Sequence, residues 1–395
     1  MVRSESEQLF DMQIDIWKEW SLQMVNISFV GDIMCYPRMT KIANGDYSEL
    51  FLRAHKLKNC DYLVGNLETP IAGYEMKYTY ERYCFNTPES FLTAVKECGF
   101  NLVTLANNHC MDRGEEGILK TLENCRRAGF DTIGIYASEE ERDRIFIKEL
   151  DGIKIAFINY TYGTNAFAHH RFLTHKYMVN LSQPEETLTG SIHLLNDYSQ
   201  IASEVERIYT RGEGYEYVRP YIEQLENDIK RARSVSDYVI VVMHNGGQYV
   251  REIDPYSLFL SQKIKEFGAD IIVGHHQHII QSCGIDNDGY LKIFCLGNFM
   301  CDGRINGDGY YFDSPLFNAV FHLSLTRNPD QSIKTEKSFS IYTTVKDEAG
   351  MPCAIDSYDV FKKRDDTYLR EKILRYANWF AGGNKYSTVS EVYEL

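Results

Sequence analysis

Apolar runs bounded by Gly, Asn, Asp and Pro read as short strands alternating with helices, the pattern of a layered α/β fold. Strands are expected at 26–30, 62–64, 102–105, 132–135, 153–159, 238–243, 271–273 and 291–296. A helix is predicted to begin at Thr87-Pro88, a capping hydroxyl followed by proline in the first turn, and to stop at Gly99. Another runs from about Glu115 and stops at Gly129. From 160 to 220 the pattern weakens into a stretch rich in Tyr, His, Glu and Thr, read as an insertion covering one end of the sheet. Beyond Asp313, alternation in 317–325 and 337–345 predicts antiparallel strands, and 368–380 a helix with Trp379 on its apolar side. The expected organisation is a helical extension at 1–25, a main domain at 26–312, and C-terminal strands and helix at 313–395 packed on the core.

Composition narrows the class. With 44% apolar residues, 25% charged and 9 prolines in 395 residues, the chain is an ordered globular protein, and no linker, repeat or low-complexity tract divides it. The net charge of -14 speaks against general binding to nucleic acid or anionic membrane, which draws on clustered Lys and Arg. An acidic protein that handles an anion needs concentrated positive charge, and bound divalent metal supplies it. The 10 cysteines show no CxxC pair and read as reduced thiols of a cytosolic protein. Residues 1–24 carry Glu5, Glu7, Asp11, Asp15, Lys18 and Glu19, with neither an apolar signal region nor a membrane span, so a cytoplasmic location without membrane insertion is expected.

The informative feature is where the polar residues fall. Gly31-Asp32, Gly65-Asn66-Leu67-Glu68, Asn107-Asn108-His109, His244-Asn245-Gly246 and Gly274-His275-His276-Gln277-His278 each follow an expected strand. The carboxyl ends of strands in an open α/β sheet share one edge, so these groups are expected in a common crevice. Singly each has a plain structural reading. Asp32 could cap a helix, Glu68 could be a solvated charge, Asn107 and Asn108 suit a turn, and His244 could be a core histidine. The three imidazoles within four residues at 275–278 have no packing rationale and would repel if charged. Carboxylate, amide oxygen and neutral imidazole together suit two divalent ions such as Zn, Mn or Fe. A bridging carboxylate would hold them about 3.5–4 Å apart, one activating water and both neutralising an oxyanion. No GxGxxG, GxxxxGK[ST], GxSxG or HExxH is present, so dinucleotide, P-loop, α/β-hydrolase and zincin readings lack support. Cys110 reads as inert, and Tyr160, Tyr162, His169 and His170 either line a pocket or pack a surface loop.

At these positions the sequence resembles the CapA family, a branch of the calcineurin-like metallophosphatases. The matching elements are Phe29-Val30-Gly31-Asp32-Ile33-Met34, Gly65-Asn66-Leu67-Glu68-Thr69-Pro70, Leu105-Ala106-Asn107-Asn108-His109 with Asp112 and Gly114, Met243-His244-Asn245-Gly246, Gly274-His275-His276-Gln277-His278, and Leu296-Gly297-Asn298-Phe299. The resemblance implies a layered metallophosphatase-like sheet core flanked by helices. It casts Asp32 as ligand of one metal, Glu68 as the bridge, Asn108 and His244 as ligands of the second, and His276 and His278 as the closing pair. His109 becomes the acid that protonates a leaving oxygen. Asp112 is then placed to accept a hydrogen bond from that imidazole, or else to cap the following helix. Asn66, His275, Gln248 and Asn298 fall in supporting positions. Two departures stand out: Met34 occupies the His position of an Asp-x-His motif, and Gln248 stands where the family usually has Glu. The implied function is a metal-dependent hydrolase acting on a phosphoester or on poly-gamma-glutamate. The alternative is a non-catalytic component of capsule synthesis that binds an acidic polymer alongside partner proteins.

Overall fold

The computed structural model describes residues 24–79, 84–185, 198–302, 316–364 and 366–395. Of the expected N-terminal extension, only Met24 and Val25 are described, and they begin the first strand; positions 186–197 of the expected insertion also lie outside. The strands are β1 Met24–Ile33, β2 Tyr62–Leu67, β3 Leu102–Thr104, β4 Asp131–Ile133, β5 Phe146–Leu150, β6 Ile153–Thr161, β7 Tyr238–His244, β8 Ile271–His275, β9 Gly284–Ile285, β10 Leu291–Ile293, β11 Asn298–Met300, β12 Phe317–Arg327, β13 Ile333–Lys346, β14 Pro352–Asp356 and β15 Tyr393–Glu394.

The alternation of apolar side chains sorts these strands into two facing sheets. One runs β14-β13-β12-β1-β2-β3-β4, with β11 added to β1 and β15 to β13; the other runs β5-β6-β7-β8-β10-β9. Val25, Ile27 and Phe29 of β1 point between the sheets, where they meet Ile155 and Phe157 of β6, Ile240 and Val242 of β7, and Val273 of β8. The opposite parity points outward. Val30, Ile33, Leu63 and Val103 pack on Phe91, Leu92 and Val95 of the helix Ser90–Glu97 and on Ile118 and Leu122 of the helix Gly114–Arg127. Across the molecule, Ile158, Val239, Val241 and Ile272 pack on Ile222, Leu225 and Ile229 of the helix Tyr215–Val235 and on Leu260 and Ile264 of the helix Pro255–Phe267. The result is a helix–sheet–sheet–helix stack, a mixed α/β fold in which period-two strands bury both faces.

The C-terminal strands belong to the same sheet as β1, since β12 pairs with it antiparallel from Met24↔Thr326 to Phe29↔Phe321. The helix Thr367–Phe380 sends Ile373, Tyr376, Ala377 and Phe380 into the inter-sheet core. Trp379 is not on that face: it is 38% exposed and donates its Nε1–H to the Ile280 carbonyl at 3.1 Å. Other expectations shift by a few residues for identifiable reasons. The helix expected from Thr87 starts at Ser90, because the Thr87 hydroxyl bonds Thr69 Oγ1 at 2.8 Å instead of capping. The expected strand at 291–296 stops at Ile293, and Gly297 at φ +86 turns the chain into β11. The helix Tyr215–Val235 begins inside the expected insertion and runs well past it. No helix among the described residues is long and apolar enough to cross a membrane. None of the 10 cysteines is in a disulfide, and all but Cys60 are buried.

Gly31 packs directly on the backbone of the strand-end loop at Gly297. A Cβ there would lie 1.8 Å from the Gly297 carbonyl oxygen, and the Asp32 N–H donates to that same oxygen at 3.0 Å. Neither partner is a side chain that could swing away. Gly31→Ala is therefore expected to destabilise the protein by about 1–3 kcal/mol or more, read as a lowered midpoint in chemical denaturation; an unchanged midpoint would show that the two segments separate freely.

Candidate metal centre

Parallel pairing brings one polar residue from each of several strands to the same edge. Asp32 of β1 is in register with Asn66 of β2 and Asn298 of β11, and Asn66 is in register with Thr104 of β3. The residues form a row. Asn66 Nδ2 donates to Asp32 Oδ1 at 2.8 Å, while its Oδ1 accepts from Thr104 Oγ1 at 3.2 Å and Asn107 Nδ2 at 3.3 Å. On the facing sheet, β7 ends in His244 and β8 in His275, two residues in register with each other.

The six residues expected as ligands converge here. Donor atoms of Asp32, Glu68 and His244 lie within 4.8 Å of one another, as do those of Glu68, His276 and His278, so Glu68 is common to both groups. His244 Nε2 stands 2.8 Å from Asn108 Oδ1, 3.1 Å from His276 Nδ1 and 3.6 Å from Glu68 Oε1. His278 Nδ1 faces Asp32 Oδ2 at 3.2 Å and Asn298 Oδ1 at 3.0 Å, while its Nε2 faces Glu68 at 3.7 Å. Two oxygen acceptors around Nδ1 put the proton there and leave the Nε2 lone pair toward Glu68, the tautomer a ligating histidine requires. His276 and His278 have φ of +104 and +59. Such backbone is costly for residues with a Cβ and persists where the surroundings impose it, commonly at functional sites.

Electrostatics fit the same purpose. Glu68 is fully buried, and neither carboxylate oxygen has a hydrogen-bond partner. Burial, then the neighbouring Asp32, pushes its pKa well above the usual carboxylate range. Asp32 is also fully buried, which alone would raise it, yet His278, His275 and Asn66 hold it below its ordinary value. His244 falls well below the usual imidazole range, through burial and then the charges of His276, His275, His278 and His109. A buried carboxylate without a hydrogen-bond partner, beside imidazoles of His244 and His275 held below their ordinary range, is the chemistry of a divalent-cation site. The residues present fit the group.

The supporting positions divide. His275 Nε2 donates to the Val30 carbonyl at 3.0 Å, tying the histidine loop to β1. Asn66 and Asn298 contact the cluster as described above, whereas Gln248 is partly exposed in the turn after Gly247 and makes no described hydrogen bond to it. Met34, at the departure from Asp-x-His, is buried and its sulfur accepts from the Tyr36 hydroxyl at 3.5 Å. His109 Nδ1 meets Asp112 Oδ2 at 2.8 Å, and Asp112 Oδ2 also accepts from the Phe85 amide at 2.6 Å. The N-cap of the helix Gly114–Arg127 is Arg113 with no side-chain bond, so Asp112 does not cap it. Burial pushes the Cys110 thiol up.

Asn165 and the position of Tyr162 complete the wall. Asn165 Oδ1 accepts from Asn108 Nδ2 at 3.0 Å, which turns the Asn108 carbonyl toward His244. It sits at φ +56, and nothing in the surrounding sequence pattern marks it. Tyr162 lies over His276 with ring centroids 4.8 Å apart. Tyr160 points elsewhere, bonding Asp228 at 2.7 Å, and His170 is exposed on the surface.

The sequence profile described as "Bacterial capsule synthesis protein PGA_cap" matches residues 26–303, a span that contains every residue of the centre. The chain belongs to this family. Its PGA_cap relatives include "Capsule biosynthesis protein CapA" of Bacillus anthracis, 27% identical over 286 residues, covering 71% of this chain and 60% of the relative. Another is "PGA biosynthesis protein CapA" of Bacillus subtilis (strain 168), 25% identical over 295 residues, covering 72% of this chain and 65% of that one. The chain thus spans less than two thirds of the length of these PGA_cap relatives. Among solved structures, a putative 5'-nucleotidase from Staphylococcus aureus aligns with a TM-score of 0.44 at 13% identity, over 89% of this chain and 58% of that one.

Proposed function

We propose that this PGA_cap protein is a metal-dependent hydrolase of capsule metabolism, cleaving a phosphoester or a gamma-glutamyl amide. The observation that carries the reading is Glu68: a fully buried carboxylate whose two oxygens have no partner, ringed by Asp32, Asn108, His244, His276 and His278. An uncompensated buried charge costs several kcal/mol, and a coordinated cation removes that cost. Two divalent ions, Mn, Zn or Fe, held by these six residues would supply a Lewis acid for the substrate oxygen and a more acidic water.

The chain's own groups do the rest. Asp112 holds His109 through Nδ1 at 2.8 Å, which presents Nε2 as the proton donor to the departing oxygen or nitrogen. Asn66 fixes Asp32, and Asn165 fixes Asn108, so the donors are set before substrate arrives. The Tyr162 ring, 4.8 Å from that of His276, walls one side of the cluster. Both substrate classes develop charge on a non-bridging oxygen and need a protonated leaving group, so one constellation serves either.

The test pairs metal-loaded protein with a generic phosphodiester and with gamma-glutamyl peptides. Turnover of either class that disappears with chelator is expected. Tight binding of an acidic polymer with no turnover of either class would favour instead a non-catalytic capsule-synthesis component.

A further inference from the structure

We propose that Cys84, Asp112 and His169 form a separate cation site suited to zinc. Donor atoms of the three lie within 4.8 Å of one another. Asp112 Oδ1 and His169 Nε2 are buried, and neither has a hydrogen-bond partner. They stand 3.4 Å apart. Two ligands each about 2.0–2.2 Å from a tetrahedral zinc are separated by about 3.3–3.6 Å, so this pair already has the spacing of a coordination edge.

Each residue is held for the task. The other oxygen of Asp112 is occupied by His109 Nδ1 at 2.8 Å and the Phe85 amide at 2.6 Å, which fixes the carboxylate with Oδ1 turned toward His169. Arg113 Nη1 donates to Cys84 Sγ at 2.9 Å, which offsets part of the burial and the Asp112 charge that push this thiol up. Sulfur, imidazole and carboxylate together select a borderline ion such as zinc over magnesium or calcium. The His169 side chain is 17% exposed, which provides an entry path and room for water as the fourth ligand. Because Asp112 serves His109 through its other oxygen, an ion here also draws carboxylate charge away from that imidazole.

Cobalt substitution separates this site from the strand-end centre, because none of the six donors there is sulfur. The full-length protein is stripped with chelator, loaded with cobalt, and scanned for thiolate-to-cobalt charge transfer in the near ultraviolet. The band is expected in the wild type and in Asp32→Asn, and is expected to be lost in Cys84→Ser and His169→Ala, each of which retains one zinc equivalent fewer. His169→Ala changes a partly exposed side chain and so guards against a folding failure in Cys84→Ser. No band in the wild type, or a band that survives either substitution at full strength, overturns the proposal whatever the strand-end centre does.

Discussion

His109→Ala is expected to lower turnover of a substrate with a poor leaving group by about 10²–10⁴-fold while leaving the bound metal in place. The expectation rests on a division of labour between neighbours. Asn108 turns its carbonyl oxygen to His244 at 2.8 Å, inside the cluster, whereas His109 turns to Asp112. Removing the imidazole takes away a proton donor and no ligand. Substrates with good leaving groups need little protonation and should lose much less rate. Steady-state kinetics on a good and a poor leaving group, beside elemental analysis of the same preparation, reads both quantities. Loss of metal, or undiminished turnover of the poor leaving group, would mean that His109 is not the acid.

Glu68→Met is expected to reverse the order of stability with and without metal. In chelator the wild type keeps a buried carboxyl group with two unpartnered oxygens, and leaving such a group unsatisfied costs about 1–3 kcal/mol, more if charged. An apolar side chain of similar length removes that cost, so the variant should melt above the wild type. With metal in excess the wild type gains RT ln(1 + [L]/Kd), about 2.7 kcal/mol at a hundredfold excess over Kd, whereas the variant lacks the shared ligand and gains little. Thermal unfolding of both proteins in chelator and in added manganese or zinc measures the crossing. A variant that melts below the wild type in chelator, or that gains as much from metal, would contradict the role given to Glu68.

Much of this centre is legible in the sequence because its parts sit at strand ends. A run such as Tyr238–His244 declares itself by apolar content, and the polar residue that closes it must lie on the edge where parallel strands end. Asp32, Glu68, Asn108, His244, His276 and His278 are all found that way. What escapes is what long-range pairing decides. One neighbour of β1 is β12, drawn from about 300 positions away, and no local pattern specifies that partner. Asn165 lies in a weakly patterned stretch, and its left-handed backbone and contact with Asn108 arise from packing. Asp112 shows the limit of local rules: its position before a helix reads equally as a cap, and only the 2.8 Å contact with His109 decides between them. Trp379 is a similar case, an aromatic residue that reads as core yet spends its indole N–H on the Ile280 carbonyl.

Anomalous diffraction from crystals of the protein grown with manganese or zinc is the most direct test of the strand-end centre. The expected result is two peaks about 3.5–4 Å apart with Glu68 between them. Donor atoms of Asp32, Asn108, His244, His276 and His278 should lie about 2.0–2.2 Å from one peak or the other. Crystals grown in excess metal that show no anomalous peak among these six side chains would contradict it.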